Sequence, residues 1–117
     1  MTIQELFEKF GKAFMAGDLE KIAECLTPDF EWRQPDGEVY SGKDNALQAM
    51  KERFANREGP RFADSKFEFF GDTVVQTYRV TATSANGETR EVAGTDVYRI
   101  EGGLIALKDA YWKQLVV

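Results

Sequence analysis

The chain has 117 residues, 43% hydrophobic and 30% charged, which suits one globular domain with a core and a single cavity. A net charge of −5 argues against a nucleic-acid partner. The absence of histidine removes His-based triads, His metal sites and the usual general base near neutral pH. Cys25, the single cysteine, cannot form an internal disulfide and reads as a core residue. With acids scattered along helix faces, neither a metal nor a cofactor is expected. No run is long and apolar enough for a membrane span, and no signal-peptide pattern opens the chain, so a cytoplasmic location is expected.

Thr2-Ile3-Gln4-Glu5 reads as a capping box, followed by Ile3, Leu6, Phe7, Phe10 and Phe14 at helical spacing. Gly17 ends this helix, Asp18 caps a second, and Pro28 is expected to stop it. The stretch DFEWRQPDGEVY predicts two short strands around a Pro35-Asp36-Gly37 turn. A third helix is expected from Lys43 to Asn56, closed by Gly59-Pro60. Four long strands then follow, two of them joined at Asn86-Gly87.

Helices first and a long, mainly antiparallel sheet afterwards indicate a single α+β domain over residues 1–117. The architecture expected is a curved sheet wrapped around three helices, with an internal pocket. Phe10, Phe14, Trp32, Met50, Phe54, Tyr98 and Trp112 are candidate lining, and the same residues fit a filled core equally well.

The chemistry depends on strand register. Asp96, in TDVYRI, shares a face with Tyr98 and Ile100, where a carboxylate needs a partner. A two-residue Asn86-Gly87 loop sets Arg79 against Gly94 and Thr77 against Asp96, bringing Arg79 and Thr81 onto the Asp96 face. Gly94 leaves room opposite Arg79, or marks a bulge that shifts this register. In RIEGGLI, a three-residue loop pairs Ile100 with Leu104 and sets Asp96 against Lys108; a Gly-Gly loop sets it against Asp109. Opposite charges favour the first. The other face, with Tyr78, Val80, Val97, Ile105, Leu107 and Tyr111, is apolar and calls for a cover, which makes the chain a homodimer through its outer sheet face.

The segments AGDLEKI, SGKDNALQAM, TDVYRIEGGLI and KDAYW together resemble the nuclear-transport-factor-2-like superfamily, in its ketosteroid-isomerase and SnoaL-like branch, over essentially the whole chain. The resemblance implies a cystatin-like α+β cone with three helices and a deep pocket, usually as a homodimer. It also implies a pocket tryptophan at Trp112, in agreement with the three-residue hairpin. Carried over by residue, the oxyanion aspartate of ketosteroid isomerase falls on Asp96. Its tyrosine falls on Phe10, which has no hydroxyl, and its base on Gln34, which cannot take a proton. The arginine of limonene epoxide hydrolase falls on Arg79, but its two aspartates fall on Thr81 and Ala110. Scytalone-dehydratase chemistry needs a histidine.

The leading expectation is therefore a pocket for a small apolar or aromatic molecule carrying a carboxylate or an enolisable carbonyl. Arg79 and Thr81 would hold its polar end, Trp32, Trp112 and Phe54 its body. Gln34 would orient a carbonyl at the mouth or only cap the Pro35 turn. A lyase or isomerase would use Asp96 or Lys108 as the proton carrier. The remaining alternative is a dimeric scaffold in which Asp96, Arg79 and Lys108 brace the sheet.

Overall fold

The computed structural model describes residues 1–55, 61–83 and 87–114. Helix α1 (Ile3–Ala16) starts at the expected capping box: the Glu5 amide donates to Thr2 Oγ1 (3.1 Å) and the Thr2 amide to Glu5 Oε1 (3.0 Å). It ends at Gly17, whose left-handed φ of 68° a side chain would strain. Asp18 caps α2 (Leu19–Glu24) through the Lys21 amide. Pro28 does not end that helix, which closes at Cys25; it lies inside strand β1 (Leu26–Arg33). Proline is tolerated there because β2 pairs only with residues 31–33, and the ladder to β6 is interrupted between Leu26 and Glu31.

The turn at Pro35–Gly37 forms as expected, with the Gln34 amide donating to the Glu38 carbonyl (2.8 Å) and Gly37 to Gln34 (3.0 Å). Strand β2 (Val39–Ser41) leads into α3 (Lys43–Ala55). The expected stop at Asn56 and Gly59-Pro60 lies outside the described residues. Strands β3 (Arg61–Phe70), β4 (Thr73–Thr83), β5 (Thr89–Glu101) and β6 (Leu104–Gln114) complete an open six-stranded sheet, ordered β2-β1-β6-β5-β4-β3. Only the β1–β6 pairing is parallel. Among the described residues no helix is long and apolar enough to cross a membrane.

Two registers differ from expectation. Between β4 and β5, Gln76, not Thr77, faces Asp96, Tyr78 faces Gly94, and the last pair is Thr83 with Thr89. Residues 84–86 lie outside the described residues. A slip of one residue exchanges the faces of a strand. Val74, Tyr78 and Val80 consequently point into the core, and Arg79 and Thr81 into solvent. Burial decides the matter: an inward valine-sized side chain contributes about 1.5–3 kcal/mol, whereas the expected register would bury a guanidinium.

Between β5 and β6, Glu101 pairs with Leu104 around Gly102 and Gly103, both left-handed, so the loop has two residues. A bulge then intervenes, because Ile100 pairs with Ile105 but Arg99 with Leu107. The extra residue, Ala106, restores the expected faces by another route: Asp96 stands opposite Ala110, and Lys108 stands opposite Tyr98 on the same inner face.

The three helices pack on that inner face. Phe7 meets Tyr98 edge-on (4.8 Å between centroids), and Phe10, Trp32 and Met50 are buried, with Phe14 and Phe54 packed against them. The candidate lining is thus mostly core; Phe14 and Phe54 are half-buried, and Trp112, at 40% exposure, reaches furthest into solvent. The apolar row expected on the outer face is reduced as well. Tyr78, Val80 and Ile105 are buried inside, while Val97 and Leu107 (half-buried) and Tyr111 (exposed) stay outside.

Candidate functional site

The inner face of β4, β5 and β6 carries a chain of polar side chains under the helices. Lys108 pairs with Asp96 Oδ2 and donates to the Tyr98 hydroxyl (3.0 Å). Tyr98 in turn donates to Gln76 Oε1 (2.7 Å), and Gln76 Nε2 donates to Ser65 Oγ (2.9 Å). At the other end the Tyr78 hydroxyl donates to Asp96 Oδ1 (2.5 Å) and accepts from the Trp112 indole N–H (2.9 Å). Asp96, Tyr78, Tyr98 and Lys108 are all buried. Alternation on three adjacent strands places every member except Ser65, which β3 supplies, on one face, and each buried charge has an opposite partner.

Burial alone would lower the Lys108 ammonium, but the Asp96 charge and the hydrogen bonds to Asp96 and Tyr98 outweigh it and hold Lys108 well above 10.5. Burial, with the negative charge of Asp96, pushes the Tyr98 phenol up to about 12 against the pull of Lys108. Burial first and Asp96 second also raise Tyr78 well above 10.0. Lys108 therefore stays an ammonium at neutral pH and offers no base. Asp96 is engaged by an ammonium and by the Tyr78 hydroxyl, so the cluster is internally satisfied.

Arg79 and Thr81 are not part of it. Arg79 is on the outer face, half exposed and paired with Glu91 (2.6 Å). With one cation and one carboxylate, the cluster lacks the surplus positive charge expected from the sequence, and the anion-holding role for Arg79 falls with it. Tyr78 and Gln76 take the places expected for Arg79 and Thr77. Tyr78 escaped the sequence reading because register parity had put it outside. Its signal was present in Gly94: a Cβ there would lie 2.3 Å from Tyr78 Cε2, so the bare glycine is what lets the phenol ring lie across β5.

Beside this cluster, a cleft of about 360 Å³ opens between the Pro35 turn and β6. Arg33, Gln34, Asp109, Ala110 and Trp112 are among its walls. Gln34 is only 8% exposed, and its Nε2 has no hydrogen-bond partner among the described residues. Arg33 at the rim is held by Glu31 (2.6 Å, Nε) and Asp109 (3.5 Å, Nη1). Trp112 connects cleft and cluster, since its indole lines the first and donates into the second. Among the expected site residues, Gln34 and Trp112 come together here; Trp32 stays in the core under Arg53, whose guanidinium lies 5.3 Å above its ring. A second cleft, of about 300 Å³, runs between β2 and α3 past Tyr40, Asn45 and Glu52. Its Asn45 amide and Tyr40 hydroxyl are already paired, with the Ser41 carbonyl and Glu38. No group of three acids or cysteines that could hold a metal occurs among the described residues.

The model of the SnoaL-like domain matches residues 7–108. The chain belongs to the SnoaL-like domain family. Among solved structures, a provisionally assigned polyketide cyclase of Pseudomonas putida is similar at 25% identity and TM-score 0.80, over 97% of this chain and 92% of that one. A nuclear-transport-factor-2-like protein of unknown function from Burkholderia pseudomallei is 21% identical (TM-score 0.81, 97% and 92% covered). TerC, crystallised with polyporic acid, is 21% identical (TM-score 0.79, 95% and 91% covered). A further neighbour, from Xanthomonas campestris, is described as having a cystatin-like fold, as expected here. No curated protein matches the chain. SnoaL-like membership agrees with the resemblance seen in the sequence.

Proposed function

We propose that this SnoaL-like domain binds a small, mainly aromatic or apolar molecule in the cleft beside Trp112. The observation that carries the reading is the cleft itself: about 360 Å³, within the usual size of ligand sites, with an accessible indole on one wall and a buried amide on another. The neighbour crystallised with polyporic acid supports an aromatic ligand on this fold. Binding proceeds without proton transfer by the buried pair, because Lys108 is held protonated and Asp96 is fully engaged. A second reading, a lyase or isomerase related to the provisionally assigned polyketide cyclase, draws support from the unbroken hydrogen-bond chain between Trp112 and Asp96. In either case a second copy covers Val97, Leu107 and Tyr111 on the outer sheet face.

A panel of aromatic ketones, quinones and phenols, followed by calorimetry and by product analysis on the same samples, tests this. Saturable binding with unchanged ligand, weakened by Trp112→Ala, is the expected result. Turnover that Asp96→Asn abolishes would replace the binding reading by the enzymatic one, and absence of binding across the panel would remove both.

A further inference from the structure

The Trp112 side chain belongs to two places at once. It is 40% exposed and lines the cleft beside β6, while its N–H donates to the buried Tyr78 hydroxyl (2.9 Å). An indole has a single polar hydrogen, so that bond uses up its hydrogen-bonding capacity, and what remains for the cleft is apolar ring surface. The Tyr78 oxygen is able to accept because its own proton is directed to Asp96 Oδ1 (2.5 Å). The order of donors is fixed from the far end. Asp96 is paired with the Lys108 ammonium and, as a carboxylate, only accepts, so the phenol donates to it and turns its lone pairs to the indole. Burial, and after it the Asp96 charge, keep the Tyr78 phenol protonated far above neutral pH.

Tyr78 is itself a fixed point. Tyr78, Gly94 and Trp112 stand in one row across β4, β5 and β6. The bare Gly94 lets the phenol ring lie over β5 toward the indole, since a Cβ there would be 2.3 Å from Tyr78 Cε2, and Phe62 flanks the ring (5.4 Å between centroids). An exposed aromatic side chain without such an anchor samples several rotamers, and a ligand that needs one of them loses affinity in ordering it. Among the described residues Tyr78 is not a wall of the cleft, so its influence on a ligand passes through Trp112. We propose that Tyr78 is the positioning residue of this ligand site: its hydroxyl holds the Trp112 indole ready for an aromatic body and occupies the N–H, so that selection at this wall is by ring contact and not by a hydrogen bond. This rests on the cleft being the ligand site proposed above.

The probe is 2-naphthol, an uncharged two-ring molecule, with dissociation constants measured by calorimetry at neutral pH. Tyr78→Phe keeps the ring over Gly94 and removes only the hydroxyl. It is expected to weaken 2-naphthol about two- to tenfold, the effect of having to order one loose side chain on binding. In a Trp112→Phe background there is no N–H to hold, and the same change should leave the affinity unaltered. In the free protein, the indole N–H resonance that Trp112→Phe removes should shift and exchange faster with water in Tyr78→Phe. Ile22→Val, a core change in α2, should lower the melting temperature while moving neither the affinity nor the resonance, so general loosening does not imitate the effect. Exchange of the wild-type resonance as fast as a free indole would overturn the proposal without any variant, as would an equal loss of affinity in both Trp112 backgrounds. If Tyr78→Phe binds like the wild type while Trp112→Ala weakens binding, the positioning role is wrong and the cleft survives as a ligand site. If the wild type takes up no 2-naphthol, the cleft reading falls and this one with it.

Discussion

Replacing Gly94 by alanine places a methyl group where the Tyr78 ring now lies, 2.3 Å from Cε2 and 2.5 Å from Cζ. Those atoms belong to the hydroxyl end of the ring, which Asp96 and Trp112 hold in place and Phe62 flanks (5.4 Å between centroids), so the ring cannot simply swing aside. The added bulk costs about 1–3 kcal/mol as overpacking. Displacing the phenol also removes a hydrogen bond to a buried carboxylate, a further loss of about 1.5–3 kcal/mol. The combined loss of about 2.5–6 kcal/mol corresponds to roughly 10–24 °C in melting temperature for a domain of this size. Thermal and urea unfolding followed by circular dichroism measure it. The decisive comparison is the double-mutant cycle: in a Tyr78→Ala background the ring is gone, and Gly94→Ala should cost almost nothing. Equal costs in both backgrounds would show that the Gly94–Tyr78 contact does not govern the site, and a cost below about 1 kcal/mol in the wild type would show that β5 adjusts freely.

Alkaline pH should destabilise the domain through the same cluster. Lys108, Tyr98 and Tyr78 all hold their protons more tightly folded than unfolded, with Tyr98 at about 12 against an ordinary 10.0. Their stabilisation is complete below about pH 10 and is lost as pH rises toward the folded values, so urea midpoints should fall between pH 10 and 12, and less steeply in Tyr98→Phe. Leu107→Glu should convert a dimer to a monomer in light scattering, whereas Gln34→Leu should not; a wild-type monomer at tens of micromolar would refute the outer-face pairing. Arg79→Met should shift stability by less than about 1 kcal/mol, because its partner Glu91 is equally exposed. The wild type should not isomerise a β,γ-unsaturated ketosteroid, as read by the absorbance of the conjugated product, since Gln34 accepts no proton and Phe10 has no hydroxyl.

The features legible in the sequence are those whose cause is local or strongly periodic. The Thr2–Glu5 box, the left-handed Gly17, the Asp18 cap and the Pro35–Gly37 turn each depend on a few neighbouring residues, and each formed where the residues said. The pairing of Asp96 with Lys108 was legible too, because a carboxylate among Tyr98 and Ile100 needs a cation, although Arg79 was expected beside it as a second one. Strand parity was not. A slip of one residue between β4 and β5 leaves most backbone hydrogen bonds makeable and reverses every side chain, so Asn86-Gly87 could not decide between Arg79 and Tyr78. That choice belongs to the tertiary packing, which buries Tyr78 and Val80 and leaves Arg79 in solvent. The Ala106 bulge likewise brought Lys108 to the expected face through a loop that sequence reasoning had set aside. The cleft is a tertiary product entirely: it exists because a parallel pairing sets the end of β1 beside the end of β6, bringing Gln34 to Trp112 across 78 residues of chain.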